Sequence, residues 1–169
     1  VNRPAAAAVP EAPNLEVASV LDSIPLQVYP KLNQNQTVDG YIANTALGSL
    51  LFTSKGLSLA IIDPGPSLDS STEMNLVPMR ALQVQYLGAN PGLRPEGENL
   101  QPGIVNKYLG SDPAAWQEGL PVFGGVRYNR LYPGIDLVYS GVDDWKSGSL
   151  HVKGTFFVAP GGDPSQIRW

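Results

Sequence analysis

The chain has 169 residues, of which 43% are apolar and 15% charged, with a net charge of −4 and no cysteine. That length and composition belong to one folded domain with its own core, not to a disordered chain. The acidic balance excludes a nucleic-acid face, no basic run marks a membrane-surface patch, and the lack of cysteine excludes disulfides and thiolate chemistry.

Residues 1–14, "VNRPAAAAVPEAPN", hold prolines at 4, 10 and 13 that break any helix across the alanine run. They read as an extended arm ahead of a single domain spanning 15–169. No n-region and apolar h-region is visible, so Val1 is expected to be a processed terminus left after a signal peptide is removed. Asn14 can cap a short helix over 15–24, where Val17, Val20, Leu21 and Ile24 make one apolar stripe before Pro25 ends it.

From there the pattern is β. Short apolar runs at 25–29, 39–44, 48–53 and 57–62 are bounded by Gly, Pro, Asn, Asp or Ser, and "SKG" at 54–56 makes 48–62 a hairpin. Residues 64–75 are polar and proline-rich, a loop. In 80–88 Leu82, Val84 and Tyr86 share one face and Gln83 and Gln85 the other, which predicts a half-buried strand. The stretch 88–103, "GANPGLRPEGENLQPG", has little apolar content and is expected to be a long loop, with a short strand at 104–110. "SDPAAWQEG" predicts one helical turn, capped by Ser111 or Asp112, with Pro113 in its first position and Trp116 pointing to the core.

A strand at 120–128 carries Gly124–Gly125, expected to be a bulge or bend. Pro133–Gly134 fits the centre of a type II turn, because proline pre-sets the first φ and glycine accepts the positive second one. Beyond it Ile135, Leu137 and Tyr139 share a face. The same device recurs in "VAPGGDP" at 158–164. Residues 140–149 are expected to be a polar loop with Asp143 and Asp144, 150–158 the last clear strand, and "QIRW" (166–169) the start of another. The 18 glycines and 16 prolines fit many turns between short strands. The predicted fold is all-β: a sandwich of two mainly antiparallel sheets with one or two short helices.

Candidate reactive groups are few. Asp136 is either an acid–base carboxylate or a partner of Arg127 or Arg130 and of turn amides. His151, the one histidine, sits mid-strand with no nucleophile elbow to serve. Asp143 with Asp144, or Glu96 with Glu98, can offer oxygens to calcium, but neither pair lies in an EF-hand pattern. Tyr128, Tyr132, Tyr139 and Trp145 are either a sugar-stacking platform or core and turn support. Asn35-Gln36-Thr37 is a glycosylation sequon only in a eukaryotic secretory host. No catalytic residue, cofactor, metal or small-molecule substrate is expected.

Four segments carry a family likeness: "GANP" (88–91), "VNKYLGSDPAAW" (105–116), "VRYNRLYPGIDLVYSG" (126–141) and "TFFVAPGGDPSQI" (155–167), with weaker likeness at "NQNQ" (33–36) and "GSLLFTSKGLSLAI" (48–61). Together they resemble a domain of unknown function from bacterial exported proteins, found ahead of the seven-bladed β-propeller repeats of SBBP-type cell-surface proteins. The chain departs from that pattern at "VDDWKSGSLHVKGTFF", where a glycine-rich link into an acidic strand is usual, and it lacks the propeller repeats. The resemblance implies export to the periplasm or cell surface, a β-rich fold and a non-catalytic role.

The expected function is therefore a non-catalytic, extracytoplasmic interaction or structural module. It can be an accessory subunit on the outer face of a larger assembly, peripheral to a membrane at most. The alternative is a carbohydrate-binding module using Tyr128, Tyr132 or Trp145. A protein partner is expected at the arm and at a sheet edge, through Val1, Asn2, Arg3, Pro4, Val9, Pro10, Pro13, Ile167 and Trp169.

Overall fold

The computed structural model describes residues 26–45, 48–62, 79–144 and 149–169. The arm and the predicted helix at 15–24, the loop at 64–75 and Trp145 lie outside these residues. The strands are β1 (Val28–Leu32), β2 (Val38–Thr45), β3 (Gly48–Thr53), β4 (Gly56–Ile62), β5 (Met79–Val84), β6 (Pro95–Lys107), β7 (Gln117–Tyr132), β8 (Ile135–Asp144) and β9 (Ser149–Val158). Short 3₁₀ turns occupy Pro113–Ala115 and Pro164–Gln166. Every strand pair is antiparallel.

The strands hydrogen-bond in the order β5-β4-β3-β2-β1-β7-β8-β9, with β6 branching from β7. Strands β1 to β5 form one meander and β6 to β9 another. Among the described strands they pair at one bridge, Val28 with Phe123. Gly125 pairs with Glu98 on one side and Ser140 on the other, so β6 and β8 flank opposite edges of β7. Although β2, β1 and β7 separate β3 from β8 in the sheet, Phe52 on β3 packs against Tyr139 on β8 with ring centroids 5.3 Å apart. The sheet therefore curls over itself into a half-barrel. The all-β, antiparallel, sandwich-like expectation holds, and the two facing layers are arms of one curled sheet.

Alternation explains the core. Leu50 and Phe52 point inward from β3, paired with Leu59 and Leu57 on β4. Ile135 and Leu137 do the same from β8, and Val126 and Tyr128 from β7. Burying each such side chain contributes roughly 1.5–3 kcal/mol. The tyrosines bring hydroxyls that must find partners inside. The Tyr128 hydroxyl, fully buried, donates to the carbonyls of Thr53 (3.1 Å) and Gly56 (3.3 Å) across the interior. The Tyr132 hydroxyl reaches the carbonyls of Arg168 (3.0 Å) and Leu87 (3.3 Å) and accepts from the Arg168 amide (3.3 Å). Tyr86 and Tyr139 share a hydroxyl–hydroxyl bond of 2.6 Å.

Turn chemistry does the rest. Ser54 and Lys55 close the β3–β4 hairpin. Pro133 and Gly134 close β7–β8, with Gly134 at φ 71° as a type II turn requires. The second proline–glycine turn closes by a bond from the Gly162 amide to the Ala159 carbonyl, 2.9 Å, and packs on the first through Ala159 N–H to Gly134 O, 2.9 Å. Asp112, one of the two expected caps, accepts from the Ala114 amide at 3.0 Å. Gly124–Gly125 lies inside one continuous strand without a register shift, so it is not a bulge: β1 pairs upstream of it and β8 from Gly125 onward. A Cβ on Gly125 would overlap the Tyr139 carbonyl oxygen, so only glycine permits this approach.

Four expectations are corrected. The 88–103 segment is not all loop, since Pro95–Lys107 is one strand, shifted in register between Gln101 and Ile104. Residues 140–144 belong to β8 and 149 to β9 instead of a loop. "QIRW" is no strand: Gln166 ends a 3₁₀ turn, and the backbone beyond it bonds to Leu87 and Tyr132. Trp116 is 38% exposed and packs on Tyr108 instead of the core.

Burial is the first cause that pushes the phenols of Tyr86, Tyr128 and Tyr139 above their ordinary value of 10.0, and in Tyr86 the bond to Tyr139 adds to it. The folded state therefore holds these protons more tightly than the unfolded state. The resulting stability is complete below pH 10.0 and declines above it. An alkaline titration followed by ¹³Cζ tyrosine signals is expected to show these three phenols ionising only together with loss of the fold. Their ionisation near pH 10.0 in a native-like molecule would contradict this packing.

Candidate functional site

The outward face of β6, β7 and β8 gathers the charged residues of the decorated turn. Val126 and Tyr128 point inward, so Arg127 between them points out. Its Nε and Nη2 donate to the two Glu98 oxygens, each at 2.8 Å, a bidentate pair across β6–β7. Its Nη1 lies 3.3 Å from Asp136 Oδ2 on β8, and the Phe157 ring of β9 lies 5.7 Å away.

Between Tyr128 and Tyr132 the β7–β8 register shifts, and Arg130 takes φ 50°. The Arg130 amide freed there donates to Asp136 Oδ1 at 2.8 Å. Asp136 thus makes the cross-strand ion pair and also accepts the turn amide. With both oxygens engaged it has a structural task, and no free base is presented. Asn129 donates to Glu96 Oε2 at 2.8 Å.

The hydrogen bond from Arg127 is the first cause holding the Glu98 carboxyl below its ordinary value of 4.5. Because the folded carboxylate takes up a proton less readily, the pair adds stability above that value. The stability is lost as pH falls through the lower folded value. In Arg127→Met an NMR titration is expected to return Glu98 upward toward 4.5 and to flatten the acid dependence of stability in this window. An unmoved Glu98 would contradict the pairing.

The remaining sequence candidates do not converge. Tyr128 and Tyr132 are 0% and 2% exposed, and Tyr139 packs against the core, so none of the three offers a sugar platform. His151 stands opposite Val142, and Asp143 and Asp144 opposite Leu150 and Ser149. The side chains of these three lie outside the described part of the structure. Among the described residues no group of three or more His, Cys, Asp and Glu can hold a metal ion, and no helix is long and apolar enough to cross a membrane.

Val1, Asn2, Arg3, Pro4, Val9, Pro10 and Pro13 lie outside the described residues. Ile167 is half-buried against the core, while Trp169 is 71% exposed and stacks on Phe156 at 6.0 Å. Asn35 is exposed in the β1–β2 turn.

A surface that sequence reasoning missed runs along β6 and the loop after it. Leu100, Ile104 and Leu109 are 67%, 64% and 67% exposed, and Tyr108 is 55% exposed. The loop is nonetheless firmly built. Tyr108 meets Trp116 edge-on at 5.1 Å, the Trp116 indole donates to the Gly110 carbonyl at 3.3 Å, and the Gly119 amide donates to Asn106 Oδ1 at 2.8 Å. The one available signal was the apolar "IVNKYL" run, which looks the same whether its side chains are covered or open.

No curated protein and no solved structure matches the chain. The chain belongs to the family described as a domain of unknown function, DUF7948, whose model matches residues 30–169.

Proposed function

We propose that this domain is a non-catalytic docking module of an exported protein, and that it binds a protein partner over β6 and the 108–116 loop. The observation that carries this reading is the group of exposed apolar side chains, Leu100, Ile104, Tyr108 and Leu109, on a rigid support. Several exposed large apolar side chains along one strand and its following loop favour a protein contact. Among the described residues β6 pairs with β7 along one edge and has no strand partner on the other. Pro102 carries no amide hydrogen, and the register shift around it makes this segment irregular. The partner therefore engages side chains more than it extends the sheet.

Export, bacterial origin and a place beside propeller repeats rest on the resemblance of 126–141 and its companion segments. A role as an accessory subunit on the outer face of a larger assembly is the narrower form of the same reading. The arm at 1–14 supplies a second contact in it.

The test is site-specific photo-crosslinking in the cells that make the protein. Crosslinkers at Leu100 and Leu109 are expected to capture a protein that one at Lys55 does not. Ile104→Asp is expected to lower that yield by about tenfold or more, because one buried aliphatic side chain carries that much affinity. Equal yields at all three positions, or no effect of Ile104→Asp, would contradict the proposal.

A further inference from the structure

We propose that the cleft between the start of β2, the β3–β4 turn and the segment leading into β6 binds a short neutral saccharide. The cleft has a volume of about 470 Å³ and is lined by Asp39, Tyr41, Ser54, Leu93, Arg94 and Glu96 among others. That size lies within the range of about 300–1,000 Å³ of small-molecule sites. Tyr41 and Leu93, both buried, supply apolar surface, and the polar groups surround it.

The polar groups keep bonding capacity in reserve. Lys31 takes one oxygen of Asp39, at 2.8 Å, and leaves Oδ1 open. Asn129 takes one oxygen of Glu96, at 2.8 Å, and leaves Oε1 open. Neither the Arg94 guanidinium nor the Ser54 hydroxyl has a partner among the described residues. A carboxylate only accepts, a guanidinium only donates, and each sugar hydroxyl does both. A pair of neighbouring hydroxyls can therefore satisfy a carboxylate and the guanidinium together.

Charge points the same way. Asp39 and Glu96 are balanced by Lys31 and Arg94, so the cleft favours neither an anion nor a cation. Its wall is also formed in advance. The Asn90 amide donates to the Leu131 carbonyl (3.0 Å), the Leu93 amide to the Asn90 carbonyl (3.0 Å) and the Gly92 amide to Asn90 Oδ1 (2.9 Å). A preformed wall spares the ligand the cost of ordering it. None of Leu100, Ile104 and Leu109 lines this cleft, so the proposal is independent of the docking surface.

The test is an amide NMR titration with maltose, cellobiose and N,N′-diacetylchitobiose as probes, and glycine and acetate as charged comparators. At least one disaccharide is expected to shift the amides of Gly40, Ser54 and Gly92 saturably. Arg94→Ala and Asp39→Asn are each expected to weaken it about tenfold. Lys31→Met breaks the same ion pair yet keeps the carboxylate, and is expected to retain binding. The proposal is overturned by the absence of a saturable shift from every disaccharide, by an equal response to glycine or acetate, or by full affinity in Arg94→Ala.

Discussion

One constraint governs this molecule: among the described strands, its two meanders pair with each other at one bridge, Val28 with Phe123. Such a link cannot by itself hold two sheet arms face to face. The interior does that, and it does so with tyrosines. Tyr128 and the Tyr86–Tyr139 pair each supply a large apolar ring and a polar atom placed where the opposite arm has a partner for it. Tyr128 reaches from β7 to the carbonyls that flank the β3–β4 turn. Phe52 and Tyr139 meet across the same space. A buried hydroxyl without a partner would cost as much as the ring contributes, so the positions of Thr53 and Gly56 are part of the core's design.

Closure in turn decides which surfaces remain. The two ends of the sheet path are stitched by the terminal segment: the Leu87 amide donates to the Arg168 carbonyl at 2.9 Å, Tyr132 ties down both, and Trp169 stacks on Phe156. Strand β6 is different. It branches off the path, and its apolar side chains have nothing described above them. The charged outward face behind it is neutralised internally, with Arg127 held by Glu98 and Asp136. The proposed recognition surfaces are an apolar strip on β6 and a separate polar cleft.

Where local chemistry determines structure, the sequence was a good guide. The hairpin over 48–62, the two proline–glycine turns, the Asp112 cap and the inward set Ile135, Leu137 and Tyr139 all follow from residues close together in the chain. Strand β6 was opaque because its strand character comes from its partner. Glu96, Asn99 and Gln101 carry no alternation of their own, yet β7 pairs with this segment along its length. The two structural roles of Asp136 were foreseeable from its place after a turn. Its selection of the Arg130 amide was not, since that depends on a register shift. The cleft was invisible because Asp39, Ser54 and Arg94 come from separate segments that only the curl of the sheet brings together.

The central claim is that the two arms hold each other through a shared aromatic interior. Native-state hydrogen exchange on Phe52→Leu tests it most directly. The substitution lies in β3 and is expected to cost about 1 kcal/mol. If the arms form one cooperative unit, the amides of Leu137 and Tyr139 in β8 lose the same opening free energy as those of Leu50 in β3. Loss confined to β3, with β8 unchanged, would show two independently stable sheets and contradict the account.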